Sequence, residues 1–305
     1  MSAPLLHGMR VFERGWLSSN NILFLGDRGT ALVDSGYATH SQQTLALVRD
    51  ALQGRNLDVL VNTHLHSDHC GGNADLQTGF PELRTWVPAT QAGAVSRWDT
   101  VALSYATTGQ SCERFSFTDM LRPGSELQLG DHLWQVHAAP GHDPHSLVLF
   151  EPCSRTLLSA DALWESGFGV VFPELEGEHA FDAVAATLDL IEALQPAVVV
   201  PGHGSVFSDV GLALGRARSR LAAYLAQPER HASHGAKVLL KFKLLELQSV
   251  PRAELLQWAL ATRYFGMVRA RWFSSMSAEA WFDALVSDLE RSGVALREGE
   301  YIANR

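Results

Sequence analysis

The chain has 305 residues, enough for one large domain and a smaller one, and its 46% hydrophobic and 19% charged residues are ordinary for a folded protein. No apolar run is long enough to span a bilayer, three cysteines are too few for a disulfide framework, and Met1–Arg10 lacks the basic-then-apolar pattern of an export signal, so a reducing cytoplasm is the expected location. The formal net charge of −9 is uneven: residues 215–305 carry 14 basic and 9 acidic residues, and all three lysines lie there.

The chain order begins with two short apolar runs, Asn21–Leu25 and Ala31–Asp34, joined by the turn signal Asp27-Arg28-Gly29. His40–Leu52 then carries apolar residues at helical spacing, with Gly54 as its stop. A strand at Asp58–Asn62 runs into the polar segment Thr63–Asn73, and Arg84–Val87 is the next short strand. Glu126–Leu129 with Leu133–His137, and Ser146–Phe150 with Thr156–Ser159, read as successive hairpins. Phe181–Leu194 is an amphipathic helix, and Ala197–Val200 is a buried strand ending at Pro201-Gly202-His203-Gly204. After Asp209 the pattern turns helical: Val210–Ala226, Ala236–Leu247, Arg252–Ala261 and Ala278–Ser292, with a break expected at Pro228 and Ser233–Gly235. Gly293–Asn304 closes the chain as a hairpin. The change of pattern and of charge sign divides the chain into 1–209 and 210–305.

The segment Thr63-His64-Leu65-His66-Ser67-Asp68-His69-Cys70-Gly71-Gly72-Asn73 holds three histidines and an aspartate directly after a strand. A strand end presents successive side chains into one loop, and imidazole with carboxylate is what Zn²⁺ takes when thiolate is absent. Three further strand ends carry a single histidine or aspartate: Pro140-Gly141-His142, Ser159-Ala160-Asp161 and Pro201-Gly202-His203. Asp34-Ser35-Gly36 ends an earlier strand.

In this order of motifs, over roughly residues 10–210, the chain resembles the metallo-β-lactamase superfamily. The resemblance implies a four-layer αββα sandwich, here followed by a helical, winged-helix-like domain. It implies two metal ions, zinc first, with iron or manganese as other occupants. His64, His66 and His142 would hold one ion and Asp68, His69 and His203 the other, with Asp161 bridging. Asp68 and Asp161 are the residues expected to act directly in catalysis. A metal-bridging hydroxide would then attack an ester, thioester or lactone in a small acyl substrate. Among members of the family, glyoxalase II shares the His-x-His-x-Asp-His and Gly-Gly-Asn patterns. A phosphodiesterase or ribonuclease of the same superfamily is the runner-up, and a non-catalytic metal-bound regulator the third reading. Nucleic acid is the less favoured partner, no membrane is implied, and self-association stays open. His145 is a candidate orienting partner for a ligand, and Cys70 a packed residue. Two inserts, Leu163–Gly177 with Trp164, Phe168, Val170, Val171 and Phe172, and Arg97–Phe117 with Trp98, Tyr105 and Phe115, are expected to shape the pocket.

Overall fold

The computed structural model describes residues 5–305, so the expectation on Met1–Arg10 falls partly outside them. The first sheet is built from β1 (Met9–Phe12), β2 (Asn21–Gly26), β3 (Gly29–Val33), β4 (Val59–Val61), β5 (Arg84–Pro88) and β6 (Asp119–Leu121), adjacent in chain order. The second is built from β7 (Glu126–Leu129), β8 (His132–Ala138), β9 (Leu147–Glu151), β10 (Thr156–Ala160) and β11 (Val198–Pro201), again in order. β3, β4, β5 and β6 are parallel, as are β10 and β11; the other pairs are antiparallel.

Alternation along these strands sends one set of side chains between the sheets and the other outward. Ile22, Phe24, Ala31, Val33 and Val61 meet Leu129, Trp134, Val136, Leu149 and Val200 in the space between them. The outward set of the first sheet, Leu23, Leu32 and Leu60, is covered by Leu45, Val48 and Leu52 of α1 (Ser41–Leu52), with Leu76 of a following short helix. Val148, Phe150, Leu157 and Val199, outward from the second sheet, are covered by two helices. One, Phe181–Leu194, brings Val184, Leu188 and Ile191; the other, Val210–Ala226, brings Ala213, Leu214, Ala217 and Leu221. Helix, sheet, sheet, helix is the αββα order.

Four short helices follow α1 along the chain: α2 (Ser67–Cys70), α3 (Asn73–Gly79), α4 (Ala92–Arg97) and α5 (Tyr105–Thr108). α6 (Phe172–Glu176) precedes the two outer helices, now α7 (Phe181–Leu194) and α8 (Val210–Ala226). Then come α9 (Pro228–Leu247), β12 (Ser249–Pro251), α10 (Arg252–Ala261), α11 (Arg263–Trp272), α12 (Ala278–Arg291), β13 (Ala295–Glu298) and β14 (Tyr301–Asn304). The last three strands pair in the order β12-β14-β13. Helices closed by a small sheet are the winged-helix pattern expected for the tail.

Several elements differ from expectation. No break separates Pro228 from Ala236. Pro228 occupies the first turn of α9, where a missing N–H costs nothing, and Ser233–Gly235 sit inside the helix with Gly235 packed against Leu175 and Val170. α11, in which Arg263, Arg269 and Arg271 interrupt the apolar residues, was not legible as a separate helix. The polar segment after β4 contains α2, one helical turn.

Candidate metal centre

All seven candidate residues come to one edge of the sandwich, at the carboxyl ends of the strands. His64 and His66 follow β4, and Asp68 and His69 ride on α2. His142 lies in the β8–β9 turn, Asp161 directly after β10 and His203 just after β11. Their metal-binding atoms form overlapping groups: His64, His66 and His142; Asp68, His69 and His203; and His64, His69 and Asp161, each group within 4.8 Å. Asp161 lies between the first two, with one carboxylate oxygen 3.3 Å from His142 Nε2 and the other 3.4 Å from His69 Nε2.

What turns the imidazoles inward is a set of hydrogen bonds to their outer nitrogens. His142 Nδ1–H donates to the Val170 carbonyl at 2.6 Å, which leaves Nε2 facing His66 Nδ1 at 2.8 Å. His69 Nδ1–H donates to Asp34 Oδ2 at 2.7 Å. Thr63 Oγ1 donates to that same oxygen at 2.8 Å, so its own lone pair accepts from His64 Nδ1 at 3.1 Å. Asp34 Oδ1 accepts the Thr63 backbone N–H at 2.9 Å. One carboxylate therefore fixes an imidazole in each triad, directly for His69 and through Thr63 for His64, and both present a bare Nε2. Those two atoms are buried without a hydrogen-bond partner among the described residues.

Buried polar atoms without partners are expensive, and a cation between them would satisfy them. The electrostatics agree. Burial holds His64 well below the usual imidazole range, and burial with the neighbouring His142 brings His66 down to about 4, so both are neutral and able to ligate. Burial presses His69 the same way, but Asp161, Asp34 and Asp68 outweigh it and hold it well above that range, so without an ion His69 keeps a proton that a cation held by the same carboxylates would displace. Burial raises Asp161, yet the imidazoles of His69, His203 and His142 prevail and keep it ionised. The residues present thus fit two divalent cations sharing one carboxylate.

A cavity of about 330 Å³ opens onto this centre. His66, Asp68, His142, Asp161 and His203 form its floor, and Val238, Leu239 and Phe242 of α9 form a wall. A larger cavity of about 590 Å³, around Asn56, Asp58 and Arg84, lies at the opposite edge where these strands begin, with no ligand group. Of the two inserts, only Leu163–Gly177 behaves as expected. Trp164 lies edge-on to His203 and its indole N–H donates to Asp161 at 3.3 Å; Phe172 packs edge-on against His66 and His142. Phe168 and Val171 are core. The aromatics Trp98, Tyr105 and Phe115 of the other insert pack with Cys70 instead, and that insert gives the cavity only Thr108 and Gln110. Cys70 is buried, its Sγ 3.0 Å from the Tyr105 hydroxyl. The residue beside His66 Nε2 is Asp143, at 3.5 Å, while His145 contacts Asp143 through its backbone N–H.

Other contributors carried no local signal. Trp16 stacks on His203 with ring centroids 5.5 Å apart. Asn20 donates to the carbonyls of Pro201 and Gly204 and so holds the His203 loop. Arg220 of α8 lines the cavity with a single hydrogen bond, to the Phe168 carbonyl, and no acid in ion-pair range among the described residues. His231 of α9 accepts the Val171 N–H at 3.1 Å. Gly202 passes so close to Asp161 that an added Cβ would collide with its carboxylate, which is why a glycine stands there.

The comparisons with known proteins agree with this geometry. Hydroxyacylglutathione hydrolase from Trichormus variabilis is 29% identical over 172 residues, 54% of this chain and 58% of that protein. The enzyme of that name from Vibrio cholerae serotype O1 is 28% identical over 199 residues, 65% of this chain and 64% of its own. The chain thus spans a little over half the length of the first of these relatives. Among solved structures, a metallo-beta-lactamase family protein from Thermus thermophilus superposes with a TM-score of 0.58 at 20% identity. The match covers 99% of this chain and 100% of that one. A metallo-beta-lactamase of Cronobacter sakazakii gives 0.58 at 15% identity over 72% and 92%. The sequence model of the metallo-beta-lactamase superfamily matches residues 14–203, well over half of the chain, and the protein belongs to that superfamily.

Proposed function

We propose that this protein is a dinuclear metal-dependent hydrolase of an ester, thioester or lactone in a small acyl substrate. The carrying observation is the pair of donor groups sharing Asp161, with His64 Nε2 and His69 Nε2 buried and without a hydrogen-bond partner among the described residues. His64, His66 and His142 would hold one ion, Asp68, His69 and His203 the other, and Asp161 both. Zinc is the first choice for this donor set, with iron or manganese as other occupants. Two bound divalent ions supply an activated water and polarisation of the scissile carbonyl. The chain's own groups do the rest. Asp34 and the Val170 carbonyl keep the imidazoles in register. Trp16, Trp164 and Phe172 shield the centre from bulk water, which strengthens every electrostatic contact inside. Asp68, 3.1 Å from His203 Nε2 and on the cavity floor, is placed to take or return a proton at the leaving atom. Arg220 offers its unused N–H groups to an anionic part of the substrate, as a thiol carrier with carboxylates would provide. That agrees with a thioester, the substrate type named by the hydroxyacylglutathione hydrolases.

The three lysines of the tail, with Arg252 and Arg297, argue against a nucleic-acid substrate. Lys237 pairs with Asp288 and Lys243 with Glu246, while Lys241 donates to the carbonyls of Val294 and Arg305. On α12, Glu279 and Asp283 hold Arg252, and Glu290 holds Arg297. Cations already paired release few counterions on meeting phosphates. The metal-loaded protein should hydrolyse at least one of a thioester, a nitrophenyl ester and a lactone, and chelation should abolish it. Cleavage of RNA or a phosphodiester with none of the three touched would reverse the ranking.

A further inference from the structure

The cavity at the metal centre does not end at α9. A second cavity, about 290 Å³, shares Trp16, His234, Val238 and Phe242 with it. These four shared residues set the two side by side, in a row from the ligands along α9 to the tail. Its far part is floored by Leu245 of α9, Leu289 of α12 and Val294 after it. Lys237 and Lys241 also line this part, yet their ammonium groups are bound to Asp288 and to the carbonyls of Val294 and Arg305. What they offer to the cleft is their aliphatic stems.

Two apolar side chains at the junction stand open to solvent: Trp16 is 55% exposed and Val238 36%. Trp16 already packs on His203 and Trp164, so its exposed face is the one not used by the metal centre. An exposed apolar pair midway along a cleft that begins at the reacting centre marks the path of an apolar ligand.

We propose that the substrate's acyl group is an extended aliphatic chain, which runs from the scissile carbonyl past Trp16 and Val238 and ends over Leu245, Leu289 and Val294. This rests on the acyl-hydrolase reading and narrows its substrate class. A second cavity that adjoins the one at the metal centre favours a chain attached to the reacting carbonyl over a separate ligand. The tied ammonium groups favour a hydrocarbon over an anion at the far end. Arg220, on α8 and absent from the second cavity, is left for the leaving group.

The test is a series of nitrophenyl esters from acetate through butanoate, hexanoate and octanoate to decanoate, on metal-loaded protein. Full burial of a methylene corresponds to a gain of roughly fourfold, and a groove open on one side should give about twofold or more per methylene in kcat/KM. Leu245→Trp fills the second cavity and does not line the first, so it should cut the octanoate rate at least tenfold and leave acetate within about twofold. Val294→Asp, at the half-buried far end, is the second variant and should act only on the longest esters. Binding is read separately, by titrating octanoate and acetate into wild type and L245W. Octanoate should bind the wild type at least tenfold tighter than it binds L245W, and acetate should not distinguish them. Equal kcat/KM across the series, or an L245W that processes and binds octanoate as the wild type does, overturns the proposal while leaving the hydrolase reading intact. No hydrolysis of any ester, with octanoate still bound along α9, counts against the hydrolase reading and not against the groove.

Discussion

At Asp34 the backbone turns left-handed, with φ 57°, and the carboxylate faces back across the ends of β3 and β4. It accepts three hydrogen bonds there: the Thr63 N–H at one oxygen, and Thr63 Oγ1 and His69 Nδ1 at the other. Asp34→Asn keeps the shape and suits the left-handed conformation, but an amide in place of Oδ2 removes the acceptor both partners need. His69 and His64 would then be free to carry a proton on the nitrogen that faces the centre. Affinity for both ions should fall by about 10- to 100-fold, the usual cost of losing an orienting partner, with the fold retained. Metal titration by calorimetry checks this, and unchanged affinity for both ions would refute the relay. At this scale the convergence of the seven candidate residues on one edge was legible because each belongs to a short motif at a strand end or in the turn after it. Asp34 was visible in the Asp34-Ser35-Gly36 turn, though not its partners. Trp16, Arg220 and His231 were not, since contacts reaching across most of the chain leave no local pattern.

Among elements, α9 does the most to join the tail to the centre. It supplies one cavity wall, and its His231 holds the Val171 N–H next to Val170, whose carbonyl orients His142. Burial, and then the nearby His234, push His231 down to about 3. Protonation would put an N–H against the Val171 N–H, so the folded chain refuses a proton that the unfolded chain takes up near pH 6.5. The folded pKa is the lower one, so the stabilisation is present above about 6.5 and is lost as pH falls toward about 3. His231→Gln keeps an acceptor without titrating. Urea unfolding of the metal-free protein should show the wild type losing more stability than H231Q between about pH 6.5 and 5, by up to about 1.4 kcal/mol per unit. Parallel pH curves would show that His231 titrates freely. The helix itself was half legible: its apolar spacing from Ala236 on was clear and Pro228 does mark the break after α8, while Ser233–Gly235 suggested a break that is not there. A packed glycine does not break a helix, and only tertiary contacts reveal that. β1, β6 and β12, each three or four residues long, were missed because so short a run has no period.

On the scale of the molecule, four layers and a tail agree with the pattern of strand-rich and helix-rich halves. We place the division between the two parts after α8 rather than at residues 209 and 210. α8 shares one core with α7 and the second sheet, whereas α9 to α12 and the last three strands share another. The lysines that made the tail look like a polyanion-binding surface are tied to groups of the tail itself. Lys237→Ala, Lys241→Ala and Lys243→Ala together should lower stability, mostly through the Lys241 bonds that pin the chain's end, at about 1–3 kcal/mol. RNA retention on a filter should be weak before and after; strong, salt-sensitive binding lost in the triple variant would favour the nucleic-acid reading.

The measurement that bears most directly on the two-metal centre is stepwise reloading. Chelated protein is titrated with Zn²⁺ while bound metal and thioester or ester hydrolysis are followed together, beside Asp161→Ala. Two ions per chain, activity that rises with the second, and an Asp161→Ala variant that loses both together are the predicted results. Full loading without hydrolysis of any acyl substrate, or an Asp161→Ala variant that binds and turns over as the wild type does, would contradict the account.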